Sequence, residues 1–175
     1  MQTQSMFEGR VLRLSYWNSD ARVVDADRMQ LEKYLSRLGD VRLNVVKNLE
    51  AITSGACDLL IVAAQNVPRK EFAKWLVGLR SRVHTQGSIW VPALILADVG
   101  FDTLADILSE VTRENWYFDI LAPGHLDSIP IRVANLVRIH DHLHELKRYL
   151  DAVEDVSSKV KHLEQQMKSL KGVDQ

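Results

Sequence analysis

The chain has 175 residues, of which 46% are hydrophobic and 26% charged, and its 22 basic and 23 acidic residues leave a net charge of −1. A protein that coats nucleic-acid phosphates needs a basic excess, and an intrinsically disordered chain combines low hydrophobicity with high net charge, so both classes are excluded. The single cysteine, Cys57, excludes an internal disulfide and a cysteine-rich zinc site.

The amino terminus and the apolar runs carry no signal for targeting or membrane insertion. Residues 1–10 are polar, and we expect them to form a tail. The longest apolar run, residues 89–97, contains a proline and is far shorter than the roughly 20 residues that a membrane span needs. Together with the cysteine count, this pattern predicts a soluble protein of the reducing cytoplasm.

Short apolar runs alternate with amphipathic stretches in the first three quarters of the chain. Strands are predicted for the runs at 11–16, 41–46, 58–64, 90–97 and 116–121. Helices are predicted at 24–38, which Gly39 ends, at 49–53, at 68–79 and at 102–111, with Asp102 as the cap of the last. This order predicts an α/β fold, a doubly wound five-stranded parallel sheet with helices on both faces. Ligands of such sheets bind at the carboxyl ends of the strands.

The last quarter of the chain has a different pattern. From Ile131 to Leu170 there is neither glycine nor proline, and apolar residues recur at steps of three and four. The pattern predicts one helix over 131–171, about 60 Å long at 1.5 Å per residue, and a tail at 172–175. Its apolar stripe is the narrow seam of a coiled coil. The seam consists of Leu136, Ile139, Leu143, Leu146, Leu150, Val153, Val156, Val160, Leu163, Met167 and Leu170.

We expect this seam to join two copies of the chain in a parallel homodimer. Between Leu150 and Val156 two three-residue steps follow each other, a discontinuity that locally overwinds a coiled coil. Beyond it, Lys159 and Glu164 occupy g and e positions that meet across a parallel dimer, which weakly favours that orientation. The alternative is a lone amphipathic helix that folds back on its own domain.

Read together, residues 11–145 resemble the receiver domain of bacterial response regulators. The resemblance is carried by DLLIV at 58–62, Pro68 after it, VPALIL at 91–96, Pro123 after the fifth strand, and IRVANL at 131–136. It implies a flavodoxin-like fold. We therefore expect a receiver-like domain over 11–130, extended by the helix at 131–171.

The resemblance also implies which residues occupy the positions of the receiver's phosphorylation site. In a working receiver, acidic residues after the first strand hold Mg²⁺, an aspartate ending the third strand accepts the phosphoryl group, and a hydroxyl and a lysine contact it. Carboxylates suit Mg²⁺, and the transferred group needs donors around it. These positions fall here on Ser15, Tyr16, Ala63, Ala97 and Ala122. We expect a pseudo-receiver with no catalytic activity, metal or other cofactor.

Other possible sites have weak sequence signals. No glycine-rich phosphate loop follows a predicted strand, so Rossmann or P-loop nucleotide binding has no support. His140 and His144 are spaced to reach one metal ion, but further ligands are not evident, and solvated helix surface is the favoured interpretation. We interpret Asp98, Asp102 and Asp119 as loop acids and a helix cap.

These observations favour a non-catalytic regulatory module of the kind found in two-component signal transduction. It would dimerise through its last helix and relay a signal to an output domain or partner protein, with a diguanylate cyclase of c-di-GMP signalling or a transcription activator as candidates. Direct contact with nucleic acid or membrane is not expected. The alternative is a flavodoxin-like sensor of a small molecule or cyclic dinucleotide, or a small enzyme, that uses the strand-end cleft.

Overall fold

The structure is a computed structural model that describes residues 7, 9–18, 20, 24–49, 52, 57–83, 91–100, 103–105, 107 and 116–171, with side chains at all of these except 24–26 and 169–171. Its contacts divide the chain into two units, Met1–His140 and Asp141–Gln175.

The first unit is built on five parallel strands in the order β2-β1-β3-β4-β5. They are β1 (Leu12–Asn18), β2 (Val41–Val45), β3 (Leu59–Ala63), β4 (Ala93–Leu96) and β5 (Phe118–Leu121). Each strand falls on a predicted run, so the predicted α/β, flavodoxin-like fold is confirmed. β1 continues to Asn18, beyond the predicted end at residue 16, whereas Trp90 of the predicted fourth strand lies outside the described residues.

Two of the helices between the strands lie in full within the described residues. Helix α1 (Val24–Leu35) continues as a 3-10 turn (Ser36–Leu38) and stops at Gly39, whose φ of 107° is accessible to glycine and strained for other residues. Helix α2 (Phe72–Val83) follows a 3-10 turn (Arg69–Glu71) that begins after Pro68.

Two other predicted helices fall largely outside the described residues. Of the helix predicted at 49–53, only Leu49 and Ile52 are described, and both are buried. Of the helix predicted at 102–111, residues 103–105 and 107 are helical, while Asp102 lies outside the described part of the chain.

The last helix, α3 (Ile129–Lys171), has 43 residues and begins two positions before the predicted start at 131. Pro130 explains the earlier start, because proline is well tolerated in the first turn of a helix, where its missing N–H is not needed. Among the described helices, none combines the length and apolar character that a membrane span requires.

The sheet is covered on both faces, as a parallel sheet requires. On one face, alternate residues of the strands join α1 and the first turns of α3 in one cluster, in which Ile129, Val133 and Val137 are fully buried. On the other face, the intervening strand residues join α2, with Phe72 and Leu76 fully buried. The first unit is therefore a doubly wound sheet.

A buried carboxylate ties β1 to β3 at the amino edge of the sheet. Asp58, directly before β3, accepts hydrogen bonds from the Arg13 backbone N–H (2.8 Å), the Arg10 guanidinium (3.0 Å) and the Arg13 guanidinium (3.3 Å). Burial acts to raise the pKa of the Asp58 carboxyl, but the donors from Arg13 and Arg10 outweigh it and hold that pKa below its ordinary value.

This clamp predicts how stability depends on pH. Because the pKa of Asp58 is lower in the folded than in the unfolded chain, its stabilisation is complete above the unfolded pKa and is lost as the pH falls through the folded pKa. We expect Asp58→Asn to lower the free energy of unfolding at pH 7 by about 1.5–3 kcal/mol. We also expect it to flatten the acid loss of stability between about pH 5 and pH 2, measured by urea unfolding at each pH.

Asp98→Asn is the control, because that carboxylate is exposed in a surface ion pair. Equal acid slopes in Asp58→Asn and the unsubstituted protein would contradict the expectation.

Candidate functional site

The carboxyl ends of four strands form one row across the sheet. Asn18 of β1 is level with Ala63 of β3, Ala63 with Leu96 of β4, and Leu96 with Leu121 of β5. This row is the edge where a flavodoxin-like fold binds its ligands.

The residues predicted for the degenerate site lie at two levels along this edge. Ala63 lies in the row and Ala97 directly follows it, and both are buried, with methyl groups as side chains. Ala122 follows β5 and is half-buried. Ser15 and Tyr16 lie inside β1, level with residues 60 and 61 of β3, and therefore stop short of the row. The β1 residue beside Ala63 is Asn18.

Tyr16, Asn18 and Asp27 form a closed hydrogen-bond network beside the row. The Tyr16 hydroxyl donates to Asp27 Oδ2 (2.8 Å), and Asn18 Nδ2 donates to both that oxygen (2.9 Å) and the Tyr16 hydroxyl (3.1 Å). Asn18 Oδ1 accepts the backbone N–H of Asp20 at 2.8 Å. The network joins β1 to α1 and to the loop between them.

This network turns its polar groups towards each other rather than towards a ligand. The Tyr16 hydroxyl acts once as donor and once as acceptor, and the amide of Asn18 is bonded through both its nitrogen and its oxygen. Burial raises the pKa of the Tyr16 hydroxyl, and the hydrogen bond to Asp27 raises it further, so the phenol stays protonated. The arrangement suits a structural link between strand and helix. The sequence reasoning missed Asn18, although the alternation of Leu12, Leu14 and Tyr16 places it on the same face.

Two of the acids near the strand ends are held in ion pairs. Asp98, directly after Ala97, pairs with Arg69 at 2.8 Å, and both side chains are exposed. Asp119 within β5 pairs with Arg132 of α3. Asp102 lies outside the described residues. These contacts are those of surface and half-buried ion pairs, and they do not bring two carboxylates together for acid–base work.

A groove of about 790 Å³ opens beside the same edge. The groove lies beside the carboxyl ends of β1 and β3. The chain leaves β1 towards β2 on one side and leaves β3 towards β4 on the other, so this is the topological switch point of the fold. Its lining carries both signs of charge and one half-buried aromatic ring. The lining residues are Asp20, Asn66, Val67, Pro68, Glu71, Lys74 and Trp75.

The two histidines with metal-ligand spacing have different surroundings. His140 is buried at 9% exposure, whereas His144 is exposed. Within the described part of the chain, no group of three or more histidine, cysteine, aspartate or glutamate side chains is placed to hold a metal ion.

The predicted seam of α3 divides into a buried and an exposed part. Leu136 is 6% exposed and belongs to the core of its own unit, so it is not accessible to another chain. Ile139 is 39% exposed and Leu143 is half-buried. From there on, the side chains are between 48% and 65% exposed, and the side chain of Leu170 lies outside the described residues. The exposed seam residues are Leu146, Leu150, Val153, Val156, Val160, Leu163 and Met167.

An exposed apolar stripe of this length is unusual on a water-facing helix and marks an interaction surface.

No protein-family model, curated protein or solved structure matches the chain. The class of protein is therefore defined by its fold and this surface. It is a flavodoxin-like α/β unit followed by a helical unit with an unpartnered apolar stripe.

The hydrogen bonds of Tyr16 predict the effect of removing its hydroxyl. We expect Tyr16→Phe to lower the free energy of unfolding by about 1.5–3 kcal/mol, because Asp27 loses the hydrogen bond from the Tyr16 hydroxyl in a partly buried place. Urea unfolding measures the change, and Tyr117→Phe, at a 39% exposed residue, is the matched control. A Tyr16→Phe protein as stable as the control would show that the network contributes nothing to stability.

Proposed function

We propose that this chain is a phosphorylation-incompetent pseudo-receiver that homodimerises through a parallel coiled coil of α3 and relays a signal to an output domain or partner protein. The observation that carries the proposal is the exposure of the seam from Leu146 to Met167. A second copy of the same helix offers an identical stripe, so the two can bury each other completely.

The residues of the seam favour a parallel coiled coil of two helices. Where the seven-residue repeat is regular, beyond the discontinuity, β-branched residues predominate at a and leucine at d. The a positions are Val153, Val160 and Met167, and the d positions are Val156, Leu163 and Leu170. β-branched residues at a with leucine at d favour parallel dimers over larger assemblies. The seam therefore fits one further copy of this chain.

The charges beside the seam agree with the same orientation. Lys159 at position g pairs with Asp155 of its own helix at 2.7 Å, and its side chain remains 71% exposed. A parallel partner would bring its Glu164 to the same ammonium group as a second acceptor. Each exposed pair contributes little to affinity, so the charges support orientation, whereas the apolar seam supplies the attraction.

The strand-end row supports the absence of phosphoryl chemistry. Phosphorylation needs a carboxylate at the end of β3, and Ala63 has a methyl group there. The neighbouring polar groups of Tyr16, Asn18 and Asp27 are bonded to each other. This arrangement supports a role that depends on protein contact rather than on catalysis.

The relay is supported by the continuity of α3. Ile129 and Val133 in its first turns are core residues of the α/β unit, and Leu146 to Met167 on the same helix form the seam. A change in the packing of the first turns of α3 would rotate or shift the helix that carries the seam. A diguanylate cyclase or a transcription activator would be a suitable output.

The dimer is tested by charging one seam position. We expect Leu163→Glu to weaken the dimer by roughly 100-fold or more, because two carboxylates would face each other at a buried d position. Analytical ultracentrifugation over a concentration series measures the dissociation constant. Gln165→Glu adds the same charge two residues away, outside the seam, and should leave the constant unchanged.

The fold of the α/β unit serves as a check, because Leu163 is not part of its core. Both variants should therefore unfold like the unsubstituted protein. A monomeric unsubstituted chain at micromolar concentration, or equal dimerisation of the two variants, contradicts the proposal.

A second candidate function is favoured by the position of the groove at the switch point. A small molecule or cyclic dinucleotide bound there would contact Lys74 and Asn66 and could stack on Trp75, although Asp20 and Glu71 oppose an anion. Cyclic di-GMP is the probe, and thermal unfolding is the measurement. On this alternative it raises the Tm, and Lys74→Ala abolishes the rise while Lys70→Ala, outside the groove, retains it. Without such a rise, cyclic di-GMP sensing in this groove is excluded.

A further inference from the structure

We propose that the dimer seam pairs in two alternative phases over residues 142–150, one with Leu143 and Leu150 turned inward and one with His142 and Tyr149 turned inward. The dimer would exchange between them as its signalling step. This inference rests on the proposed dimer and adds a mechanism for its regulation.

The two phases follow from the discontinuity at Val153. The distal seam, Val153 to Leu170, keeps a strict seven-residue repeat. Extended towards the amino terminus, that repeat places Tyr149 at d and Leu146 at a. The proximal seam, Leu136 to Val153, instead places Leu150 at a and Leu146 at d. Leu146 and Val153 belong to both repeats, so changing phase replaces Leu150 by Tyr149 and Leu143 by His142 while Leu146 and Val153 stay in the seam.

The exchange is confined to the proximal segment because the opposite extension is unfavourable. Carried beyond Val153, the proximal repeat places Ser157 and Glu164 at a positions. A buried, unpaired carboxylate is costly, so the distal seam keeps one phase. The proximal segment has Leu143 and Leu150 on one candidate face and His142 and Tyr149 on the other, with no carboxylate at these positions, so it can take either phase.

The structure leaves both faces of the proximal segment open to a partner. Tyr149 is 71% exposed, and Leu150 and Leu146 are each 55% exposed, so the helical unit itself does not cover one face in preference to the other. A shift of three residues in a repeat of 3.5 residues per turn rotates the inward face by about 50°. The alternative phases therefore differ by a rotation of each helix, a form of motion that a helix can transmit.

Disulfide trapping tests the two phases in the full chain. The single native cysteine, Cys57, is buried, so the chain without an added cysteine gives the background of oxidation. Leu150→Cys reports the first phase and Tyr149→Cys the second. Arg148→Cys points away from the seam in both, and Leu163→Cys reports the distal seam. We expect cross-linked dimer at positions 150, 149 and 163, with position 148 at background.

Deletions identify the discontinuity as the cause. Removing residues 154–156 joins the two repeats into one with Leu150 inward, so the cross-link of Tyr149→Cys should fall to the level of Arg148→Cys while that of Leu150→Cys persists. Removing residues 167–169 also deletes three residues and one seam residue, Met167, but it keeps the discontinuity at Val153. That control should leave both cross-links.

The outcomes distinguish a failure of the two phases from a failure of the dimer itself. In the chain without deletions, Tyr149→Cys could cross-link no more than Arg148→Cys while Leu163→Cys does cross-link. That result overturns the two phases and still supports the dimer. A Tyr149→Cys cross-link that survives removal of 154–156 also overturns them. No cross-link at Leu163→Cys, with a monomer in ultracentrifugation, overturns the dimer and the phases together.

Discussion

The packing of Ile129, Val133 and Val137 against the sheet is the interaction on which the rest of the structure depends. β3 and β4 are buried on both faces, so each face needs a helical cover, and on one face the first turns of α3 supply part of it. The helix that completes the core is therefore the helix that continues into the exposed seam. Stability of the α/β unit and presentation of the interaction surface share one element.

The two edges of the sheet have different chemistry. At the amino edge, Asp58 is buried but has donors from Arg10 and Arg13, so its charge is kept and joins two strands. At the carboxyl edge, where a ligand would bind, Ala63 and Ala97 contribute methyl groups, and the Tyr16 network satisfies itself. At this edge, the hydrogen bonds of Tyr16 and Asn18 to Asp27 fasten α1 to β1.

Most of the fold and part of the site could be predicted from the sequence. Each strand coincides with an apolar run, because a strand covered on both faces must be apolar along its length. The end of β1 was less predictable. Asn18 is polar and looks like loop, yet it pairs with β3 because its side chain finds partners in Asp27 and Tyr16. Asp27 belongs to another element, and periodicity within a strand does not reveal such a partner.

The sequence by itself determined the α/β alternation, the long helix and its apolar repeat, since these depend on spacing along one chain. Only the tertiary structure decided which members of that repeat are available. Leu136 and Leu146 have the same chemistry and belong to the same stripe, but Leu136 is 6% exposed and Leu146 is 55% exposed. The difference arises because the first turns of α3 belong to the core of the α/β unit, and burial is a property of neighbours distant in sequence.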